Sequence, residues 1–414
     1  MCIIYNIIIL LYSFGIKIAS LFNKKAKLWV DGRKDIFENL KNNIDNNSKI
    51  AWFHVSSLGE FEQGRPLIES FKNKYPNYKI LLTFFSPSGY EVRKNYEFAD
   101  YVYYLPADTI KNAKKFINIV NPDIVFWVKY DFWFNYLNNL TKRNIPIILI
   151  SGLFRNDHIF FKFYGSWFKS ILTKFNHLFV QNESSAKILK SNNINNYTVA
   201  GDNRFDRVLD IVKNAKEFPL IEKFKDNKNI LIIGSSWIQD EEIIIPYINS
   251  FSGDWKFIIA PHEIKQENIE RILNSISKKI TKYSIADDKI DNYDVLIIDN
   301  IGMLSGIYRY VNLVYVGGGF GKSIHNTQEP AIWGLPIVFG PKYEKFQEAV
   351  DMKNLNGAFA VFSKNEALKT IDELINNADL RQKASEINKN YMINKTGATS
   401  KVMSWCLKMN ILSL

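Results

Sequence analysis

Short apolar runs alternate with amphipathic stretches along most of this 414-residue chain. In the first half, helical patterns such as Glu62–Lys74 and Lys111–Val120 separate these runs. The runs are Ile50–Ser57, Lys79–Phe84, Ile124–Val128, Ile145–Ile150, Leu178–Val180 and Tyr197–Ala200. Continuous apolar runs separated by helices are typical of buried parallel strands in a doubly wound α/β sheet.

The same pattern restarts in the second half. Its strand candidates are Asn229–Gly234, Lys256–Ala260, Val295–Ile298, Leu313–Val316 and Pro336–Phe339. A chain of this length suits two domains, and the charged stretch Asp206–Asn229 is the predicted boundary. We therefore expect two Rossmann-like domains, 29–215 and 216–414, facing a ligand cleft at the carboxyl ends of their sheets. This division leaves open whether the last helix packs back on the first domain.

The N-terminus is a separate element. Met1 to Phe22 is almost wholly apolar, with Lys17 its only charge, and Lys24, Lys25 and Lys27 follow directly. The span is long enough for a bilayer, and basic residues after it favour keeping the folded body in the cytoplasm. Residues 1–28 are therefore predicted to be a membrane anchor or an interfacial helix. The alternative is a buried helix of the first domain.

The net charge and the two cysteines give only general information about which partners the protein binds. A formal net charge of +11 suits a polyanionic partner, or reflects a Lys- and Asn-rich composition. A nucleic-acid-binding protein should concentrate its basic residues with aromatic ones, whereas here they are spread and mixed with acids, so no nucleic acid is expected. The two cysteines, Cys2 and Cys406, stand far apart, which argues against a zinc site or a disulfide framework.

Two turns in the first half carry polar groups after predicted strands. His54 to Glu60 reads H-V-S-S-L-G-E, and it places a carboxylate at the start of a helix, where the ionised form is favoured. An ionised carboxylate there can take a proton from a hydroxyl, although acids are common at helix starts. Ser86-Pro87-Ser88-Gly89 is a second such turn, with hydroxyls and amides that suit phosphate or sugar oxygens.

The second half carries the strongest signal. Gly317-Gly318-Gly319 follows an apolar strand, and His325-Asn326-Thr327-Gln328-Glu329-Pro330-Ala331 begins the next helix. Glycines allow close approach of a ligand to the backbone, helix amides suit a phosphate, and Glu329, one turn into the helix, suits ribose hydroxyls. Further turns that follow strands are Gly234–Trp237, Pro261–Glu263 and Asp299–Met303. The dinucleotide fingerprint and the phosphate loop are both missing.

Together these segments resemble the 3-deoxy-D-manno-octulosonic acid (Kdo) transferases of lipopolysaccharide synthesis, from the N-terminal span to about residue 350. The family's H-S-V-S-V-G-E stands at His54 to Glu60, and its T-P-T-G turn at Ser86 to Gly89. Its Q-N-E and G-S-L-K-F-D segments stand at Gln181–Glu183 and Gly201–Asp206. Its H-N-x-x-E-P-A signature is intact from His325 to Ala331.

The resemblance implies a GT-B fold and an inverting transfer of Kdo from CMP-Kdo to a lipid A precursor (lipid IVA). This would take place at the cytoplasmic face of the inner membrane, with no cofactor and no metal. Glu60 inherits the role of general base. The segments implied to contact CMP are Pro261, His262, Ile301, Gly302, Met303, Asn326, Thr327, Gln328 and Glu329. The residues implied to contact the acceptor are Ser57, Gly59, Ser86, Ser88, Gly89 and Lys129.

Three positions depart from the family pattern. Lys129 stands where the family often has a glutamate, and only Asp131 keeps a carboxylate nearby. We expect Lys129 to contact the Kdo carboxylate or a lipid phosphate. Met303 replaces the family's glutamate in M-G-E, and the charge of Arg155 is shifted by about two positions. A nucleotide-sugar epimerase of the GT-B type is the alternative, since it binds a sugar in the same cleft without needing an anchor.

Overall fold

The computed structural model describes residues 1–45, 47–213, 215–409 and 411. The chain forms two compact units, Met1–Arg207 with Thr396–Leu414, and Val208–Lys395. The boundary between the units lies between Arg207 and Val208, inside the helix Arg204–Lys213, and so a few residues before the expected position 215. The C-terminal segment belongs to the first unit.

The first unit is built on a seven-stranded parallel sheet with the order β3-β2-β1-β4-β5-β6-β7. Its strands are β1 (Lys49–Val55), β2 (Tyr78–Phe84), β3 (Tyr101–Tyr104), β4 (Ile124–Val128), β5 (Ile147–Gly152), β6 (His177–Val180) and β7 (Tyr197–Val199). The strand order reverses direction between β1 and β4. In doubly wound sheets, ligands bind beyond the carboxyl ends of the strands at such a switch point.

Helices cover both faces of this sheet. They are α1 (Cys2–Ala19), α2 (Lys24–Asp31), α3 (Ile36–Asn43), α4 (Leu58–Lys74), α5 (Pro87–Arg93), α6 (Ile110–Val120), α7 (Phe134–Lys142), α8 (Ser166–Leu172), α9 (Glu183–Ser191) and α10 (Arg204–Lys213). Successive residues of β1 point to opposite faces, so Trp52 packs in one apolar core and Phe53 in the other. This explains why the strand reads as a continuous apolar run.

The second unit repeats the architecture with a seven-stranded parallel sheet of order β10-β11-β9-β8-β12-β13-β14. Its strands are β8 (Asn229–Ser236), β9 (Trp255–Pro261), β10 (Ile280–Lys282), β11 (Val295–Ile297), β12 (Leu313–Val316), β13 (Ile337–Phe339) and β14 (Ala358–Ala360). Its switch point lies between β8 and β12. Each of the predicted strands exists, and three short edge strands, β3, β10 and β14, were not predicted.

The remaining helices belong mostly to the second unit. They are α11 (Pro219–Lys225), α12 (Ile238–Ser250), α13 (Gln266–Ser275), α14 (Leu304–Ile307), α15 (Gln328–Ile332), α16 (Gln347–Asn354), α17 (Lys364–Asn376) and α18 (Ala378–Lys395), followed by α19 (Ala398–Lys408). Helix α19 returns to the first unit, where Val402 and Cys406 are buried with Phe71 and Tyr75 in the same core.

Helix α1 is long and apolar enough to cross a membrane, yet it packs along the first unit. Near its start, the Tyr5 hydroxyl donates to Asp108 Oδ2 at 2.6 Å, and the Asn135 amide donates to Asn6 Oδ1 at 2.9 Å. Ile9, one turn further on, is buried. A helix held by these contacts lies along the protein surface. Its other side is apolar and exposed, at Ile3, Ile4, Ile7, Ile8, Leu10, Leu11, Phe14 and Ile18.

Candidate active site

Glu60 lies where β1 meets α4, at the switch point of the first sheet. The strand ends at Val55, two residues earlier than expected, and Ser57 caps the helix in a reciprocal capping box. Glu60 Oε2 accepts hydrogen bonds from the amides of Ser56 at 2.7 Å and Ser57 at 3.0 Å. One carboxylate oxygen is therefore held by the backbone, which fixes the direction of the other.

The pKa of Glu60 differs from the expectation that its place at a helix start favours the ionised carboxylate. Burial raises the pKa of Glu60, and the nearby Asp131 carboxylate raises it further, while Lys129 and the Ser56 and Ser57 amides act in the opposite direction. The helix start does favour the ionised form, but burial outweighs it. A carboxyl group with a raised pKa is a stronger base once ionised, which suits general-base catalysis near neutral pH.

Lys129 lies at the same edge of the sheet, directly after β4. Its backbone is left-handed, with φ of 62°, a strained conformation for a non-glycine residue. Burial lowers the pKa of Lys129, Asp202 and Glu60 raise it, and Arg204 lowers it. The structure therefore places Lys129 near the charges of Asp202, Arg204 and Glu60. Its contact with a substrate group stays a prediction.

Asp131 is a site residue to which the sequence pattern gave no role of its own. Burial raises the pKa of the Asp131 carboxyl, whereas a hydrogen bond with the Ser56 side chain lowers it. Ser56 thus connects to both acids of the site, through its amide to Glu60 and through its hydroxyl to Asp131. The usable signal was its spacing, two residues beyond Lys129 at the end of an apolar strand.

The Ser86 turn adjoins the Glu60 turn, as expected for neighbouring parallel strands. The amide of Ser86 donates to the Ser56 carbonyl at 2.7 Å, and the Ser86 and Ser88 hydroxyls lie 3.0 Å apart. Gly89 has a packing role, because a Cβ there would lie 2.4 Å from the Phe84 ring. Gly59 is exposed beside the Ser57 hydroxyl, so it leaves the approach to Glu60 open.

In the second unit, the three-glycine turn follows β12 at the switch point. A Cβ on Gly317 would lie 2.4 Å from the Ser235 carbonyl oxygen, and one on Gly319 would lie 2.6 Å from Gly340 Cα. These glycines are therefore needed for packing between backbone turns. Packing alone explains why Gly317 and Gly319 are glycines, and the close approach of a ligand to this backbone stays a prediction.

Asp240 organises this turn, although the sequence pattern gave it no role. It is fully buried, its Oδ2 accepts from the Gly318 amide at 2.7 Å, and its Oδ1 accepts from the Tyr315 hydroxyl at 3.0 Å. The amide of Trp237 also donates to Oδ2, at 3.0 Å. An acid in the first turn of a helix looks like an ordinary cap in a sequence, which is why its bond to a distant turn was missed.

Two histidines and a tryptophan form an aromatic cluster beside the glycine turn. The indole N–H of Trp237 donates to His325 Nε2 at 2.8 Å, which requires a neutral His325 with its proton on Nδ1. Burial and the neighbouring His262 lower the pKa of His325 to about 4. The His262 ring stacks on both, with ring-centre distances of 4.6 Å to Trp237 and 4.4 Å to His325.

The start of α15 carries buried polar groups that have no partner within the described part of the chain, the Thr327 hydroxyl and the Gln328 side-chain N–H. Asn326 is exposed and holds the Glu329 carboxylate through a 2.9 Å hydrogen bond. Glu329 lies in the first turn of α15, earlier than expected. Buried donors without partners are rare in proteins, so this helix start is a candidate site for a polar ligand.

The other predicted contact residues reach the same edge of this sheet. Pro261 ends β9, and the His262 amide donates to the Ser236 carbonyl at 2.9 Å. Beyond β11, Ile301 is 87% exposed, Gly302 has a φ of 86° and Met303 is buried. This segment therefore offers mainly its backbone and the Ile301 side chain to a ligand.

Comparisons with known proteins relate this chain to Kdo transferases. Residues 32–207 match a family model described as 3-deoxy-D-manno-octulosonic-acid transferase (kdotransferase). A 3-deoxy-D-manno-octulosonic acid transferase of Aquifex aeolicus is 25% identical over 364 residues, which cover 85% of this chain and 94% of the relative. One of Chlamydophila psittaci is 24% identical over 373 residues, which cover 85% and 83%. Over most of its length this chain is therefore similar to Kdo transferases.

These matches confirm the resemblance to Kdo transferases that the motifs predicted, and the chain is a glycosyltransferase. A solved UDP-GlcNAc 2-epimerase of Neisseria meningitidis superposes with a TM-score of 0.59 at 15% identity, covering 87% of this chain and all of the epimerase. At that identity the likeness shows the fold alone. It confirms the GT-B class of two Rossmann-like units and leaves the epimerase alternative without support from the sequence relatives.

Proposed function

We propose that this Kdo transferase moves Kdo from CMP-Kdo to a lipid A precursor, lipid IVA, by an inverting displacement in which Glu60 is the general base. The observation that carries the proposal is the geometry of Glu60. One of its oxygens is fixed by two amides at the switch point, and its pKa is raised by burial and Asp131. A carboxylate held this way is ready to accept the proton of an attacking hydroxyl.

For the donor, we propose that the start of α15 binds CMP. The unpartnered Thr327 and Gln328 donors suit the phosphate, and Glu329, which Asn326 holds in place, suits the ribose hydroxyls. The backbone of Ile301, Gly302 and Met303 and the Pro261-His262 turn complete the set. For Lys129, the proposed ligand is either the Kdo carboxylate or a lipid phosphate.

The donor and acceptor are tested by one assay. The purified full-length protein is incubated with CMP-Kdo and lipid IVA, and the product is identified by mass spectrometry and its anomeric configuration by NMR. We expect an inverted Kdo–lipid product, with CMP-sialic acid as the matched donor control giving none. EDTA should leave the rate unchanged, since we propose no metal. A retained configuration, or equal use of both donors, would contradict the proposal.

We also propose that the first unit lies on the cytoplasmic face of the inner membrane with α1 in the interface. The exposed apolar side of α1 suits the acyl layer. A second candidate for membrane contact lies near the first residues of α1. There, the indole N–H of Trp167 in α8 donates to Cys2 Sγ at 3.3 Å. The loop just before α8 exposes Phe163 and Tyr164, 98% and 58% exposed.

The first unit carries several basic residues close in sequence to α1 and α8. Lys24, Lys25, Lys162 and Lys34 are exposed, and Lys169 is half-buried. Arg33, by contrast, donates to the carbonyls of Trp29, Phe85 and Leu105. Burial lowers its pKa to about 9. Arg33 is therefore a structural residue that ties α2 to the turns after β2 and β3, and the proposed contact with anionic lipid rests on the lysines.

The aromatic loop gives a direct test of membrane contact. Replacing both Phe163 and Tyr164 by serine should weaken binding to phosphatidylglycerol vesicles by about a hundredfold or more, since burial of each ring contributes roughly 1.5–3 kcal/mol. Co-sedimentation with vesicles measures the effect. The matched control is Phe362→Ser, an exposed phenylalanine of the second unit. If the loop variant and the control bind vesicles alike, the loop does not enter the bilayer.

A further inference from the structure

A cavity between α1, α2 and the turn after β2 shares only the Ser86 turn with the site described so far. Its volume is about 390 Å³. The apolar part of its lining comes from Tyr12, Ile16, Ala19, Ala26, Trp29 and Phe85. The polar part comes from Asn23, Lys25 and Ser86. A space of this volume with mostly apolar walls and a few polar groups is typical of a small-ligand site.

The walls of this cavity are firmly placed. The Tyr12, Trp29 and Phe85 rings pack against one another, with ring-centre distances of 5.8 to 6.4 Å. The Arg33 guanidinium lies 3.8 Å from the centre of the Trp29 ring and donates to the Phe85 carbonyl at 2.7 Å. The side chain of Asn23 accepts the first amides of α2. These contacts join the three elements that enclose the cavity, so its shape does not depend on a bound molecule.

Two features point to the kind of ligand. The cavity adjoins the exposed apolar side of α1, where Leu11, Phe14 and Ile18 are at least half exposed. The buried indole N–H of Trp29 has no hydrogen-bond partner among the described residues. An acyl chain fits apolar walls that open beside a lipid-facing helix, and its ester or amide carbonyl fits an unused N–H donor. Lys25 adds a positive charge for a phosphate nearby.

The cavity is also linked directly to the proposed base. Ser86 lines it, and the Ser86 amide donates to the Ser56 carbonyl, while the Ser56 amide donates to Glu60. Two hydrogen bonds therefore separate the cavity wall from the catalytic carboxylate.

We propose that this cavity binds one acyl chain of the lipid acceptor and thereby places the acceptor's sugar hydroxyl at Glu60. This rests on the proposed function only for the identity of the acceptor. The chain is taken from the acceptor rather than from a bilayer phospholipid, because the cavity adjoins the Ser86 turn and Glu60.

The test is photocrosslinking in nanodiscs without any sugar donor, so it does not depend on Kdo transfer. The full-length protein is illuminated with lipid IVA that carries a diazirine on an acyl chain, and crosslinked residues are located by mass spectrometry. We expect labels on Ile16, Ala26 or Trp29. A diazirine phosphatidylglycerol in the same discs should label the exposed side of α1 instead. Equal labelling of the cavity by both lipids would overturn the proposal in favour of a bilayer lipid.

A matched pair of variants on one helix makes the test specific. Ile16→Trp fills the cavity, whereas Ile18→Trp adds the same ring at a half-exposed position two residues away. We expect Ile16→Trp to lower acceptor crosslinking by about tenfold, since two displaced methylenes change binding by about that factor, and Ile18→Trp to leave it unchanged. Ala26→Phe fills the same space from α2 and serves if Ile16→Trp does not fold. Unchanged crosslinking in a folded cavity-filling variant would overturn the proposal.

Discussion

Replacing Glu60 by glutamine should lower the turnover of Kdo transfer by about a hundredfold to ten-thousandfold, the range typical of the loss of a general base. Glutamine keeps a carbonyl oxygen that can accept the Ser56 and Ser57 amides, so the helix start should survive. What disappears is the ability to take a proton. Single-turnover rates with CMP-Kdo and lipid IVA, together with donor affinity by calorimetry, separate chemistry from binding.

The control for this variant is Glu97→Gln, the same change at an exposed acid of the first unit. A surface substitution away from the site should leave both stability and turnover close to those of the wild type. Glu60→Gln should bind the donor as the wild type does. A Glu60→Gln enzyme that retains most of its turnover would move the catalytic role to another group, for which Asp131, the carboxylate that raises the pKa of Glu60, is the next candidate.

Replacing Asp240 by alanine should have the second large effect, on the donor-binding unit. Three donors, the amides of Trp237 and Gly318 and the Tyr315 hydroxyl, would lose their acceptor in a buried place. Each unsatisfied group costs about 1–3 kcal/mol, so a total of several kcal/mol is expected. The thermal-unfolding midpoint should fall by several degrees, and affinity for CMP should fall because the glycine turn beside His325 loosens.

A variant of the same helix distinguishes this effect from general damage to the unit. Glu242→Ala changes an exposed acid two residues further along α12 and should leave both stability and CMP affinity within a few tenths of a kcal/mol of the wild type. Tyr315→Phe removes one of the three donors and should be milder than Asp240→Ala. An Asp240→Ala protein with wild-type stability and CMP affinity would show that Asp240 does not organise the turn.

Most of the sheet could be predicted from the sequence, because parallel strands buried on both faces are continuous apolar runs. β1, with Trp52 and Phe53 in opposite cores, is such a strand. The missed strands lie at or near the sheet edges, and β3 and β10 contain partly exposed residues, so their sequences lack that signal. The helix starts were predicted well where a capping residue preceded them, as Ser57 does for α4.

The chemistry of the site was less predictable than its position. Motif order located Glu60 and the His325 to Ala331 segment. The pKa of Glu60 depends on burial and on Asp131, which are properties of the folded state. The bond from Asp240 to Gly318 joins residues 78 positions apart, and no local pattern encodes such a pair. Likewise, nothing in the sequence around Arg33 indicates that three backbone carbonyls hold its side chain in place.

The most direct test of the account is the pH dependence of kcat/KM for Kdo transfer in the wild type and in Asp131→Asn. The base acts when ionised, so the rate should fall as the pH drops through the pKa of Glu60. Burial and Asp131 raise that pKa above 4.5, and the acidic limb should therefore lie above pH 4.5. Asp131→Asn removes the repelling carboxylate, and its limb should move to lower pH. An acidic limb that stays in place in Asp131→Asn would belong to a substrate group or another residue, and it would contradict the assignment of Glu60 as the base.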